Sequence, residues 1–142
     1  MKWRKLGLVF CPSGETPWMQ SHAAVPVAEE LGGQLLKIYF SSRDALRSSH
    51  TGYIVIDIDR PQEIIDVSLT PVLSPGELGG FDDSGAMATW LASHQGKRYL
   101  YYVGWNLGVT VPFRNSVGLA IDSGEGQFVH YARGPIIDRT MH

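Results

Sequence analysis

The chain resembles itself. Lys37-Ile38-Tyr39-Phe40 aligns with Tyr99-Leu100-Tyr101-Tyr102 at an offset of 62, and His50-Thr51-Gly52-Tyr53 through Asp57 aligns with Ser116-Val117-Gly118-Leu119 through Asp122. Thr70-Pro71-Val72-Leu73 then aligns with Gly134-Pro135-Ile136-Ile137 at an offset of 64, so the order is the same in both halves. A unit of about 60 residues used twice is the signature of supersecondary repeats that bury their apolar faces on each other.

What each unit contains follows from its residue types. Runs rich in β-branched and aromatic residues, bounded by Gly, Pro, Asn, Asp or Ser, read as strands. They are Leu6–Phe10, Leu35–Ser41, Tyr53–Ile58, Ile64–Leu69, Tyr99–Val103, Val117–Ile121 and Phe128–Ala132. Leu35–Phe40 and Tyr99–Val103 are nearly continuous in apolar character, which predicts cover on both faces. Gly124-Glu125-Gly126 reads as a hairpin turn.

Val25–Leu31 and Ala86–Ser93 carry local helix signals, Pro26 in a first turn and Met87, Trp90 and Leu91 three and four apart. The repeat overrides them, because Ala23–Ala28 and Ala86–Leu91 fall where each unit needs its first strand. The expectation is an all-β fold: two four-stranded antiparallel meanders of the β-propeller blade type, preceded by an N-terminal strand at Leu6–Phe10. It is one domain over residues 1–142, with repeats near 21–75 and 83–138. A sandwich of the two meanders outside any propeller is the competing arrangement.

Composition excludes several classes. Twelve basic and 14 acidic residues leave a net charge of −2, so neither nucleic acid nor an anionic membrane is drawn to the chain in bulk. Cys11 is the sole cysteine, which excludes a disulfide framework and, with His50, His94, His130 and His142 lacking ligand spacing, a zinc signature. No metal and no cofactor are expected. The basic start at Lys2, Arg4 and Lys5 is followed by only Leu6–Phe10 before Cys11-Pro12, too short for an export signal or a membrane span, so the expected location is cytoplasmic.

Lys5–Phe10, Ser21-His22-Ala23, Ile38–Asp44, Pro75–Gly85, Tyr101–Asn106 and Gly134–Arg139 together resemble the N-terminal part of glycosidase-like proteins. These form the five-bladed β-propeller superfamily of arabinanases, xylosidases, invertases and levansucrases. The resemblance covers essentially the whole chain, with Phe81–Gly85 and the aromatic run into Trp105-Asn106 its most specific parts. It implies a chain of about two blades where relatives carry five. Uncovered blade faces are apolar surface, and they predict self-association into a homo-oligomer.

In a meander the start of the first strand, the end of the second and the start of the third share one edge. That edge gathers His22, the segment Arg43–His50, Asp82-Asp83-Ser84 and the segment Trp105–Asn115. Candidate ligand contacts there are His22, Arg43, His50, Asp82, Trp105, Asn106, Arg114 and Asn115, a mixture of stacking surfaces and planar hydrogen-bonding groups that suits a sugar. Hydrolysis of a glycosidic bond needs two carboxylates about 5–10 Å apart. The resemblance implies an Asp on the first blade, an Asp on the second and a Glu on the third. The first position falls at Ser21-His22, the second at Asp82 or Asp83, and the third beyond residue 142.

Asp83 is the candidate catalytic residue. Asp82 cannot be its partner, because consecutive side chains on an extended segment point to opposite faces. Three functions follow: a protein that binds a carbohydrate or sugar-like small molecule without complete hydrolytic machinery, an interaction module assembling through blade faces, or a glycoside hydrolase whose site is completed by another subunit.

Overall fold

The computed structural model describes residues 2, 3 and 5–140; Met1, Arg4, Met141 and His142 lie outside the described residues. Eight strands form one sheet system: β1 (Ser21–Gly32), β2 (Leu35–Arg43), β3 (Ser49–Asp57), β4 (Arg60–Val67), β5 (Gly85–His94), β6 (Lys97–Leu107), β7 (Phe113–Asp122) and β8 (Phe128–His130). β1 to β4 make one antiparallel meander and β5 to β8 a second, as the repeat predicts. They join through one parallel pair, Ser49 with Gly85. Both helix-like segments are strands, so tertiary pairing outweighs local propensity there.

The two meanders close alike. Thr51 on β3 donates its N–H to Leu73 (2.9 Å) and accepts from Val72 (2.8 Å), while Val117 on β7 donates to Ile137 (2.9 Å) and accepts from Ile136 (2.8 Å). In each case a proline precedes the two apolar residues, and its fixed φ and missing donor end the previous segment before this short pairing starts. The β7–β8 turn runs through Gly124 and Gly126, both at positive φ, which glycine adopts without penalty.

The expected N-terminal strand is corrected. Leu6–Phe10 lies outside every sheet: Gln62 of β4 donates its side-chain amide to the Leu6 carbonyl at 2.7 Å, a side-chain contact rather than a backbone ladder. This segment covers instead of pairing. Val9, Phe10, Trp18 and Met19 pack on Phe40, Ile54 and Ile56 of the first meander.

The opposite face of the first meander meets the second. Tyr39, Val72 and Leu73 pack with Ala86, Ala88, Leu100, Tyr102, Ala120 and Phe128. Alanines at 86 and 88 let the backbones approach. Thr51 crosses the junction, its Oγ1 donating to the Ala86 carbonyl at 2.9 Å and accepting from the Ala88 N–H at 3.0 Å.

Double cover is therefore realised in β2, where the adjacent residues Tyr39 and Phe40 are both buried, one in each cluster. It is not realised in β6. Leu100 and Tyr102 are buried inward, but Tyr99, Tyr101 and Val103 on the other face are only half-buried, because no layer of the described residues covers the outer face of the second meander. Val129, Tyr131 and Ile137 are each about 60% exposed beside it.

Candidate functional site

Strand register builds the site. Ser21 pairs with Arg43, Arg43 with Ser49, Ser49 with Gly85, Gly85 with Trp105, and Trp105 with Asn115. These six residues form a single row across both meanders, at the edge where the sequence places the site. A cleft of about 870 Å³ opens along it. Arg43, Trp105, Asn115, Asp83 and Ser84 line it together with Arg47 and Ser48 from the β2–β3 loop, and Met87, Leu107 and Phe113 supply apolar wall.

Trp105 has room because Gly85 lacks a side chain: a methyl group there would overlap the indole nitrogen and press on Ser49. The Trp105 Nε1 and the Ser49 Oγ, both buried beside Gly85, have no hydrogen-bond partner among the described residues. The Arg43 guanidinium sits 5.8 Å from the Trp105 ring centroid, a cation–π arrangement that holds it over the aromatic face.

Asp83 faces the cleft with both oxygens engaged. Gly79 donates its backbone N–H at 3.0 Å and Ser84 its hydroxyl at 2.9 Å. It is the only carboxylate among the cleft's described lining residues. His22, expected beside it, instead contacts the Ser21 hydroxyl at 2.9 Å from an exposed position. Its φ of 69° and the irregular register between Ser21 and Ala24 turn this entry to β1 away from the regular row.

Four further candidates also sit outside the cleft lining. His50 lies 3.1 Å from Asp44 and 3.4 Å from the Ser74 hydroxyl, so the loop and the Ser74 segment occupy both ring nitrogens. Asn106 donates to the Gly80 carbonyl at 3.4 Å. Arg114, between the two lining residues Phe113 and Asn115, alternates to the other face of β7. Asp82 is buried away from the cleft, and the two aspartates are separated by a turn, closed by the Gly85 N–H donating to the Asp82 carbonyl at 3.1 Å, rather than by the alternation of an extended segment.

Asp82 belongs to a second cluster that no local pattern announces. It is 3% exposed and accepts the Tyr102 hydroxyl at 2.7 Å, with the His130 Nδ1 at 3.5 Å. Burial, and then the bond to Asp82, push the Tyr102 phenol well above its ordinary value. A cavity of about 500 Å³ opens outside this cluster, bounded by Gly76–Gly80 and His130–Arg133. Among the described residues no group of three or more His, Cys, Asp or Glu is placed to hold a metal ion, and no helix is long and apolar enough to cross a membrane.

Comparison with known proteins places the fold. The chain aligns with a glycosyl hydrolase from Bacteroides ovatus at a TM-score of 0.66 and 18% identity, covering 89% of this chain and 38% of that one. A putative glycoside hydrolase from Parabacteroides distasonis aligns at 0.62 and 16%, covering 94% and 41%. The fold is thus glycosidase-like and all-β. In sequence, two uncharacterized Mycobacterium tuberculosis proteins, MT1551 and Rv1502, are each 42% identical over 137 residues, 96% of this chain and 46% of theirs. The chain spans a little under half the length of those curated relatives. No protein-family model matches it.

Proposed function

We propose that the chain binds a carbohydrate in the cleft between β2, β5, β6 and β7, without a complete hydrolytic site of its own. One observation carries this: a tryptophan face with a guanidinium over it, beside a carboxylate and an amide, in a concave space of ligand size. Aromatic faces stack on the apolar faces of sugar rings, while planar amide, carboxylate and guanidinium groups take the ring hydroxyls. The single lining carboxylate supports binding over hydrolysis, since cleavage asks for two across the bond. The glycosidase-like fold of the neighbours supports the substrate class.

Titration of tryptophan emission with monosaccharides and aryl glycosides, with turnover of the aryl glycosides followed in parallel, tests this. Saturable quenching without turnover is expected. Turnover abolished by Asp83→Asn would instead make the chain a hydrolase completed by another subunit.

A second reading rests on a different observation. The outer face of the second meander exposes Val129, Tyr131, Ile136 and Ile137, with no layer over them among the described residues. Such a face favours a homo-oligomer built through stacked meanders. Sedimentation as a monodisperse monomer at micromolar concentration would overturn it.

A further inference from the structure

Resting on the carbohydrate reading of this cleft, we infer that its ligand is an acidic sugar, one whose carboxylate or phosphate group is held by Arg43 and Arg47. The cleft sets two guanidinium groups against one carboxylate in a chain whose net charge is −2. None of the ion pairs among the described residues involves Arg43 or Arg47.

The acids near them are already engaged. Asp44 accepts the Ser48 N–H at 2.8 Å and faces His50 at 3.1 Å, and Asp83 accepts from Gly79 and Ser84. The positive charge on this side of the cleft is therefore unanswered from within. Arg43 is half-buried and fixed over Trp105, so it offers its fork with little rotamer freedom left to lose.

Arg47 stands on the turn that Asp44 closes, its N–H donated to the Asp44 carbonyl at 3.1 Å. A planar guanidinium matches carboxylate and phosphate oxygens two at a time, which neutral hydroxyls cannot exploit as fully. The sugar ring then lies on Trp105 and the apolar wall while its anionic group meets the arginines.

Calorimetric titration of the purified protein with matched sets tests this: glucose, glucuronate and glucose 6-phosphate, and the same three forms of galactose, with inorganic phosphate alone. At least one acidic form is expected to bind about tenfold tighter than its neutral parent. That preference should shrink with added salt and disappear in Arg47→Gln. Preference for the uronate or for the phosphate identifies which anion the arginines take.

Neutral sugars binding as tightly as acidic ones would overturn the acidic-sugar inference and leave the carbohydrate reading standing. Inorganic phosphate binding as tightly as the sugar phosphate would overturn it in favour of a simple anion site. Absence of binding to every sugar would overturn both.

Discussion

Arg98 on β6 donates to Glu29 on β1 at 2.9 Å, tying together residues 69 positions apart and on different meanders. The same guanidinium holds Asp122 at 2.7 Å, and Tyr39 donates its hydroxyl to Glu29 at 2.8 Å. These side chains are only about one-fifth exposed. Burial opposes the guanidinium charge, but Tyr39, Glu29 and Asp122 together more than offset it and keep Arg98 firmly protonated. Glu29→Gln keeps the shape and removes the charge, and should cost about 1–2 kcal/mol, read by urea unfolding at neutral pH. An unchanged midpoint would show that the tie contributes nothing.

Thr51 makes the other cross-meander tie. Thr51→Val preserves volume but strands the Ala86 carbonyl and the Ala88 N–H in a fully buried place. A loss of about 3 kcal/mol is expected in the same measurement. Thr51→Ser, which keeps the hydroxyl, should recover most of it.

Gly85→Ala tests the seat of Trp105. The added methyl must displace the indole or the Ser49 strand, which puts the cost at about 1–3 kcal/mol. The altered tryptophan environment should shift the emission spectrum and weaken ligand titrations even at temperatures where the variant stays folded.

Alkaline pH should unfold the protein through its buried phenols. Tyr102 and Tyr39 titrate well above the ordinary value of 10.0, chiefly through burial and then through their bonds to Asp82 and Glu29. The unfolded chain therefore loses these protons first. Stability holds below about pH 10 and falls as pH rises beyond it. In Tyr102→Phe that alkaline slope should be shallower, although the variant is weaker at neutral pH because Asp82 has lost its hydroxyl donor.

Much of this architecture is written locally. Repeated runs and their x-Pro-apolar-apolar endings locate six of the eight strands or their cores, and the repeat supplies the first strand of each unit against a helical propensity. Arg43, Asp83, Trp105 and Asn115 are legible as a group because antiparallel register carries one edge position from strand to strand. His22 is not, because a positive φ and an irregular pairing intervene where the sequence reads as plain strand. His50 is lost to Asp44, a partner only six residues away that a strand-edge argument does not weigh. The Asp82, Tyr102 and His130 cluster depends on three segments meeting, and no spacing in one dimension encodes that. Leu6–Phe10 has the composition of a strand, yet its role is to cover.

The single parallel pair between Ser49 and Gly85 bears on time as well as shape. Every other pairing between named strands joins sequence neighbours, so those hairpins close over short loops at small entropic cost. The ties between meanders span 35 to 69 positions, and on loop-closure entropy they should form after the hairpins they connect. Thr51→Val should therefore speed unfolding while leaving the refolding rate nearly unchanged, as stopped-flow traces over a range of urea would show. The lifetime of the native molecule is then set at the junction, by a hydroxyl and a guanidinium, rather than within either meander.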